Sequence, residues 1–364
     1  RQVPADARLL LESAVYQIIF LDRVPDYAVV SRSVDLMRKG GQGRLTGLAN
    51  AALRKVAAEP DRETEPGKVA DPRRRLPAPR GGTIVLRRPL LPREPVRRLA
   101  VAYSFPDFLV ARWHRRWGEG RTVDVLAALN RPPRTFARVN ESRETVEEVL
   151  DRLPEPVRDH SRTERVNVLD LSGLPYKRLA ELLAEGAVTV QDPTAMLPVE
   201  ALAPEPGHRV LDLCAAPGGK TAYIAERLAG HGDLYALDRP GKRLGLLRDT
   251  VKRLGLKNVH VEPNEPDRVA GLAGSGFHRV LVDVPCTNTG VLNRRAEARW
   301  RVQPGSFDRL ENVQSSLLRQ GLDLTCPGGV CVYSTCSLEP EENGERVRRV
   351  LEGRTDVALQ VERE

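Results

Sequence analysis

The C-terminal half of the chain alternates short β-rich segments with helical segments, and this alternation restricts the fold more than any other feature. The β-rich segments are dominated by Val and Leu, and the helical segments between them include 221–229 and 242–254. Strands joined by helical crossovers form a parallel sheet with helices on both faces. The sequence therefore predicts a Rossmann-like α/β domain over residues 191–364. The predicted strands are 209–213, 233–237, 258–261, 279–283 and 329–333.

Two cysteines stand where predicted strands end. Cys286 closes the sequence DVPC at 283–286, and Cys336 lies in STCS at 334–337. If the two strands are parallel neighbours, both thiols meet at the carboxyl edge of the sheet, where open α/β sheets bind their ligands. Two thiols with different neighbours predict two chemical roles.

The sequence VLDLCAAPGGKT at 210–221 reads as a strand, a tight loop and a helix. Small residues let the backbone approach a ligand, and the helix offers free N–H groups. The spacing matches neither the dinucleotide GxGxxG nor the P-loop motif. Asp238 ends the next predicted strand, where a carboxylate can accept hydrogen bonds from ribose hydroxyls. An ordinary loop would explain the glycines alone, but together with Asp238 they predict an S-adenosylmethionine site.

The rest of the chain divides by composition. Residues 1–58 are predicted as helices, 59–95 as a Pro/Arg-rich linker, and 96–190 as a small α+β domain. We interpret Trp113 and Trp117 as core residues rather than base-stacking platforms. Because the first residue is Arg and already lies in a predicted helix, we expect the N-terminal domain to be incomplete.

Charge and cysteine content narrow the class of protein. The 364-residue chain has a formal net charge of +8, which favours a polyanion such as nucleic acid but equally fits a solvated Arg-rich surface. The five cysteines form no CxxC pair, so we expect no disulfide framework, no metal site and a reducing compartment, the cytoplasm. No apolar run reaches a membrane-spanning length. We expect a monomer.

The motifs CAAPGGK at 214–220, DVPC at 283–286, and STCS followed by PEEN at 340–343 resemble those of RNA (cytosine-5)-methyltransferases of the NOL1/NOP2/Sun class. The N-terminal helices, with LDRVP at 21–25, are similar to the NusB-like RNA-binding domain of the bacterial RsmB/Sun subfamily. The resemblance implies a class I methyltransferase domain with a mostly parallel seven-stranded sheet. It also implies an all-α NusB-like domain, a small α+β cap domain, and small-subunit (16S) rRNA as substrate.

The resemblance also implies roles for individual residues. Cys336 would attack C6 of cytosine, and Cys286 would assist release of the product. Asp283 would contact the base edge, and Lys220 would orient the acidic residues and the base. We expect a depressed pKa at Cys336, because reactivity follows the thiolate fraction. The implied residues for S-adenosylmethionine are Cys214, Ala215, Ala216, Pro217, Gly218, Gly219, Lys220, Asp238, Glu265 and Asp283.

Several alternatives stay open at this point. DNA (cytosine-5)-methyltransferases use the Pro-Cys cysteine as nucleophile and carry a Glu-Asn-Val motif. We interpret ENV at 311–313 as coincidence because it falls within a predicted helix. A tRNA enzyme of the same class is one functional alternative, and a non-catalytic RNA-binding ribosome-assembly factor is another. Retention of both cysteines disfavours the non-catalytic factor.

The chain departs from the family pattern at two places. Asn288 stands where the family has Gly after Pro-Cys, and Asn264-Glu265 stands where the family has Gly-Asp beside the adenine. The basic loop 293–301 either contacts RNA phosphates or is simply solvated. Cys326 and Cys331 are interpreted as structural.

Overall fold

A computed structural model describes residues 3–61, 63–79, 81–274 and 276–362 of the protein. The contacts divide the chain into two compact units. The first comprises Arg1–Pro132 with Leu292–Trp300, and the second comprises Pro133–Val291 with Arg301–Glu364. The chemistry-bearing residues of the sequence analysis all fall in the second unit.

The first unit begins with three helices, as predicted: α1 (Ala5–Phe20), α2 (Asp26–Lys39) and α3 (Thr46–Ala57). Pro25 separates the first two, because proline is tolerated at the start of a helix but not within one. The helices bury a shared apolar stripe of Ala14, Ile18, Val29, Val30 and Leu53. Packing of this stripe, rather than propensity, holds such short helices together.

The segment 59–95 differs from the extended linker that its composition predicted. It contains an antiparallel hairpin of β1 (Arg75–Pro77) and β2 (Thr83–Val85). Leu76, Leu86 and Leu91 are buried there and form a small core. The three leucines were hidden among Pro and Arg, so the apolar pattern was too sparse to show the hairpin.

Two further helices complete the contiguous part of the first unit: α4 (Pro95–Tyr103) and α5 (Asp107–Asn130), which bends at Gly118, where φ is 74°. Trp113 is buried against Phe105, with ring centroids 5.7 Å apart. The expectation that Trp113 is a core residue is confirmed. Trp117, half-buried, stacks on Trp113 at 6.3 Å.

The second unit opens with a small three-stranded antiparallel sheet in the order β4-β3-β5. Its elements are β3 (Phe136–Val139), α6 (Val146–Asp151), α7 (Glu155–Ser161), β4 (Val168–Asp170), α8 (Tyr176–Ala184) and β5 (Val188–Val190). Arg138, fully buried on β3, pairs with Glu226 and lies 4.6 Å from the Tyr223 ring centroid. This ion pair joins β3 to the helix that carries Glu226, and no local sequence pattern predicts it.

The larger sheet is wholly parallel, with the order β10-β9-β6-β7-β8. All five strands predicted from the sequence are present. The seven strands implied by the resemblance are not found among the residues that the structure describes. The remaining elements are α9 (Leu197–Leu202), β6 (Arg209–Asp212), α10 (Gly219–Arg227), β7 (Asp233–Asp238), α11 (Lys242–Leu254), β8 (Val259–Pro263), α12 (Pro266–Ala273), β9 (Phe277–Asp283), α13 (Ala298–Arg301), α14 (Ser306–Leu324), β10 (Thr325–Ser334) and α15 (Gly344–Leu351).

The strand order brings the polar residues to one edge. The order reverses between β6 and β9, which is the topological switch point where open α/β sheets bind ligands. Asp212, Asp238, Asp283 and Ser334 each end a strand, and Ser334 pairs in register with Asp283.

Candidate active site

The two thiols meet directly. Cys286 follows β9 and Cys336 follows β10, and because these strands are parallel neighbours the Sγ atoms lie 3.1 Å apart. The hydrogen bond with Cys336, together with burial, raises the pKa of Cys286 well above its usual range. Cys286 is therefore a thiol at neutral pH and can donate its proton to the Cys336 sulfur. The low pKa expected for Cys336 stays a prediction.

A charged pair stands beside the thiols. Lys220 Nζ lies 2.7 Å from Asp283 Oδ2, and the Ser334 hydroxyl donates to Asp283 Oδ1 over 2.7 Å. Burial of Lys220 opposes its charge, but the neighbouring Asp283 outweighs it and the pKa of Lys220 is raised. Lys220 is thus charged, and its contact with Oδ2, together with the Ser334 hydroxyl on Oδ1, holds the Asp283 carboxyl group in one orientation.

Asn288 reaches both cysteines. Its backbone is left-handed, with φ of 62°, a conformation that Asn tolerates better than most residues. The side-chain Nδ2 donates to the Cys286 carbonyl oxygen over 2.9 Å, and Oδ1 accepts from Cys336 Sγ over 3.3 Å.

A buried carboxylate ties the two cysteine loops together from below. Glu342 is fully buried in the turn before α15. It accepts hydrogen bonds from the Thr287 amide at 3.0 Å, Gln314 Nε2 at 3.0 Å, the Ser337 hydroxyl at 2.5 Å and the Thr287 hydroxyl. Thr287 follows one thiol and Ser337 follows the other, so one side chain fixes both loops.

The loops also touch through their backbones. The Gly290 amide donates to the Cys336 carbonyl oxygen over 2.9 Å. A Cβ at Gly290 would lie 2.8 Å from that same oxygen, closer than real Cβ atoms come. Asn343 completes the closure, because its Nδ2 donates to the carbonyl oxygens of Ser337 and Glu339.

The loop between β6 and α10 carries the residues predicted for the cofactor: Cys214, Ala215, Ala216, Pro217, Gly218 and Gly219. Gly218 has φ of 109° and precedes the first turn of α10, whose amides point out of the helix. The Ala216 amide donates to Asp238 Oδ2 over 2.9 Å, and Arg243 Nε contacts Oδ1 at 3.2 Å. Asp238 therefore lies beside the loop, as a shared ligand requires.

Asp212 lies beneath this loop. It is fully buried, and desolvation raises its pKa to about 7 despite the Thr221 hydroxyl that donates to Oδ2 over 2.8 Å. Within the described ranges, Asp212 Oδ1 has no hydrogen-bond partner. Burial likewise raises the pKa of the Cys214 thiol, so Cys214 is an unreactive residue of the loop.

Family models and known relatives match most of this chain. The family model of the 16S rRNA methyltransferase RsmB/F matches residues 199–363, a ferredoxin-like domain model of RsmF/B-like methyltransferases matches 105–167, and the NusB family model matches 1–58. A probable ribosomal RNA small subunit methyltransferase B from Synechocystis is 32% identical, covering 97% of this chain and 74% of its own. The chain belongs to the ribosomal RNA small subunit methyltransferase B family.

Two further relatives support the family and the fold. The probable methyltransferase B of Bacillus subtilis is 30% identical, over 95% of this chain and 72% of its own. A crystal structure of a methyltransferase homolog protein from Pyrococcus horikoshii matches with a TM-score of 0.59 and 29% identity, covering 70% of this chain and 81% of that one. The resemblance seen in the motifs, the NusB-like helices and the Rossmann-like domain is thereby confirmed.

In this RsmB family member the predicted adenine-side residue, Glu265, lies just after β8. Glu265 precedes α12, and its side chain is exposed and makes no capping hydrogen bond. The neighbouring Asn264 is tied down instead, since its amide donates to the Asp238 carbonyl oxygen over 2.9 Å and its side chain bonds Gln320 at 3.1 Å.

Arg299 differs from both interpretations of the basic loop 293–301, whereas Arg294, Arg295 and Arg301 are exposed. Arg299 is buried, donates to Asn130 Oδ1 over 2.8 Å and lies 4.1 Å from the Phe105 ring centroid. Burial lowers the pKa of Arg299. Arg299 is therefore a structural residue of the first unit rather than a phosphate contact or a solvated charge, whereas Trp300 beside it is exposed.

The structure agrees with two other interpretations of the sequence, those of the ENV segment and of Cys331. Glu311 lies within α14, and its carboxylate pairs with Arg346 at 2.6 Å and Arg349 at 3.2 Å. The ENV sequence is thus a helix segment with a structural ion pair. Burial raises the pKa of Cys331 to about 12, as expected of an inert core thiol.

Neither a membrane-spanning helix nor a metal site is present among the residues that the structure describes. None of the helices is both long enough and apolar enough to cross a bilayer. No group of three or more His, Cys, Asp or Glu side chains in the described part of the chain is arranged to hold a metal ion.

Proposed function

We propose that the protein transfers a methyl group from S-adenosylmethionine to C5 of a cytosine in 16S rRNA, through a covalent bond between Cys336 and C6. The observation that carries the proposal is the pair of thiols 3.1 Å apart beside a fixed carboxylate. A single thiol would suffice for attack, and a small-molecule methyltransferase needs neither. Membership of an rRNA methyltransferase family supports an RNA base as the substrate.

The chemistry explains why a thiol is needed. C5 of cytosine is a weak nucleophile, and addition of the Cys336 thiolate to C6 moves an electron pair toward C5. S-adenosylmethionine supplies the methyl group as a sulfonium electrophile. Methyl transfer leaves S-adenosylhomocysteine. The C5 proton then passes to a water molecule, its electron pair returns to the ring, and the bond between Cys336 and C6 breaks to free 5-methylcytosine and the Cys336 thiolate.

The two thiols divide this work by their protonation. The raised pKa of Cys286 keeps its thiol protonated, so Cys286 is a poor nucleophile. Its proton can pass to the Cys336 sulfur. We assign Cys336 to attack and Cys286 to release of the product. We assign Asp283, which Lys220 and Ser334 hold, to hydrogen-bond the polar edge of the base. A base in a stacked helix cannot reach these groups, so the target must be unstacked.

The residues at the carboxyl edge fit the cofactor. The Cys214–Gly219 loop presents backbone amides, Asp238 provides a carboxylate at the neighbouring strand end, and Asp212 holds a buried oxygen without a partner in the described chain. These are the donors and acceptors that a nucleoside with an amino-acid group requires. Glu265 is the weakest member of the set because its side chain is exposed.

Two cysteine variants test the assignment. Purified protein is incubated with 16S rRNA and S-adenosylmethionine, and covalent adducts are resolved on a denaturing gel. Cys286→Ala should accumulate the adduct because release fails, whereas Cys336→Ala should form none. Cys331→Ala, in the strand core, serves as the matched control and should behave like the parent. An adduct that survives Cys336→Ala but is lost in Cys286→Ala would reverse the roles.

Bisulfite mapping identifies the substrate. Small-subunit rRNA from cells lacking the gene should lose one or more 5-methylcytosines that the wild-type gene restores. Loss from tRNA instead would support the tRNA alternative, and no loss anywhere would support a non-catalytic assembly factor.

We place the reaction in the cytoplasm, where thiols stay reduced. We also propose that the enzyme acts as a monomer, which light scattering of the purified protein tests.

A further inference from the structure

The geometry points to Asn288 as a positioning residue that accepts the S–H proton of Cys336 and so holds the nucleophile as an oriented thiol in the free protein. The inference rests on the proposed function in one respect, that Cys336 is the nucleophile. In the family that the motifs resemble, Gly usually stands at the position of Asn288, so the motif itself does not predict the contact.

The orientation of the amide is fixed by its other partner. Asn288 Nδ2 lies 2.9 Å from the Cys286 carbonyl oxygen, which can accept a hydrogen bond but cannot donate one. The NH2 group must therefore face that carbonyl, and Oδ1 must face Cys336 at 3.3 Å. An oxygen in this place favours a thiol and disfavours a thiolate, so in the free protein it opposes the depressed pKa expected of Cys336.

The four groups form a closed chain. Cys336 donates to Asn288 Oδ1, so in the thiol pair Cys286 must be the donor and the Cys336 sulfur the acceptor. Asn288 Nδ2 donates to the backbone of Cys286. Each donor in the ring has one acceptor. Removal of the Asn288 side chain opens the ring at Cys336 and leaves the thiol pair otherwise intact.

The backbone conformation at residue 288 allows Gly to replace Asn without strain. Asn288 has φ of 62°, a left-handed conformation that Gly adopts without strain and most other residues do not. Asn288→Gly thus removes the amide without bending the loop, which Glu342 still holds through Thr287. Asn288→Asp keeps the shape but puts a negative charge beside the sulfur.

The measurement is the pH profile of iodoacetamide alkylation, with Cys336 and Cys286 quantified separately by peptide mass. A hydrogen bond of ordinary strength changes an equilibrium about fivefold. Its loss should lower the Cys336 midpoint in Asn288→Gly by about 0.7 pH unit, since the bond favours the protonated form. Below the midpoint, alkylation should be roughly two- to threefold faster, because a less basic thiolate is also less nucleophilic. Asn288→Asp should raise the midpoint.

Asn258→Gly is the matched control, since Asn258 lies just before β8, at the opposite edge of the sheet; its midpoint should equal that of the parent. An unchanged or raised midpoint in Asn288→Gly would overturn the inference, even if its melting temperature fell, because a merely structural role alters stability and not titration. The adduct assay separates the two proposals. A shifted midpoint without a Cys336 adduct would sink the proposed function alone, and an adduct without a shifted midpoint would sink the role of Asn288 alone.

Discussion

Glu342 offers the sharpest test of how the site is built. Its carboxylate is fully buried and receives four hydrogen bonds, from the Thr287 amide, the Thr287 hydroxyl, the Ser337 hydroxyl and Gln314. Two of these donors are N–H groups, which can only donate. The two hydroxyls can rotate and accept instead. Replacement by Ala and by Gln should therefore differ in a predictable way.

Glu342→Ala leaves two N–H bonds in the protein interior without an acceptor. They are the Thr287 amide and one N–H of Gln314 Nε2, whose other N–H still donates to the Pro285 carbonyl oxygen over 3.0 Å. Each buried donor without an acceptor costs about 1–3 kcal/mol, so the free energy of unfolding should fall by roughly 2–6 kcal/mol. In a cooperative unit of about 150–250 residues, 1 kcal/mol lowers the melting temperature by roughly 2–4 °C. The variant should thus melt at least about 4 °C below the parent.

Glu342→Gln retains one oxygen for the two N–H donors, while its NH2 group faces hydroxyls that can turn to accept. It also removes a buried charge, which is itself costly. The loss should stay at or below about 2 kcal/mol, clearly smaller than for Ala. The same order is expected in turnover. Because Ala frees the two cysteine loops, and displacement by about 1 Å can cost about 100-fold, kcat should fall by that order in Ala and much less in Gln.

Scanning calorimetry and single-turnover methylation of 16S rRNA measure both effects, with the exposed Glu352→Gln as the control. Equal destabilisation by Ala and Gln would mean that the charge, rather than the stranded N–H groups, determines stability. Unchanged turnover in Glu342→Ala would show that the loops keep their places without it.

Two other substitutions have expected outcomes of known sign. Since burial raises the folded-state pKa of Asp212 to about 7 from an ordinary 3.8, the folded protein binds a proton that the unfolded chain has lost, and stability should fall as pH rises between those values. Asp212→Asn should lack this fall in urea midpoints measured from pH 4 to 8, and parallel profiles would contradict the assignment. Gly290→Ala forces a Cβ against the Cys336 carbonyl oxygen and should lower methyl transfer at least about tenfold, whereas Gly245→Ala, with open space around its Cβ on α11, should leave transfer unchanged.

The sequence predicted what depends on local pattern. The five parallel strands followed from alternating β-rich and helical segments, and their carboxyl ends located Asp238, Asp283 and both cysteines. Where the apolar pattern was thin, prediction failed: the hairpin at 59–95 rests on three leucines among Pro and Arg. The prediction for Arg299 was wrong because a charged residue in a basic loop is expected to be exposed. Its partners, the Phe105 ring and the Asn130 amide, lie far from it in the sequence.

The parts of the site that the sequence could not supply are those made by distant side chains whose direction depends on the finished fold. Glu342 meets Thr287 only because β9 and β10 lie side by side in parallel, which brings residues 55 positions apart into contact. Asn288 shows the same dependence more sharply. In the sequence it was merely a residue that tolerates the backbone conformation of Gly, and its side chain could have pointed to solvent. The fold turns that side chain onto Cys336, 48 positions away. A substitution that the motif would score as a departure thus becomes, in this chain, a contact with the nucleophile itself.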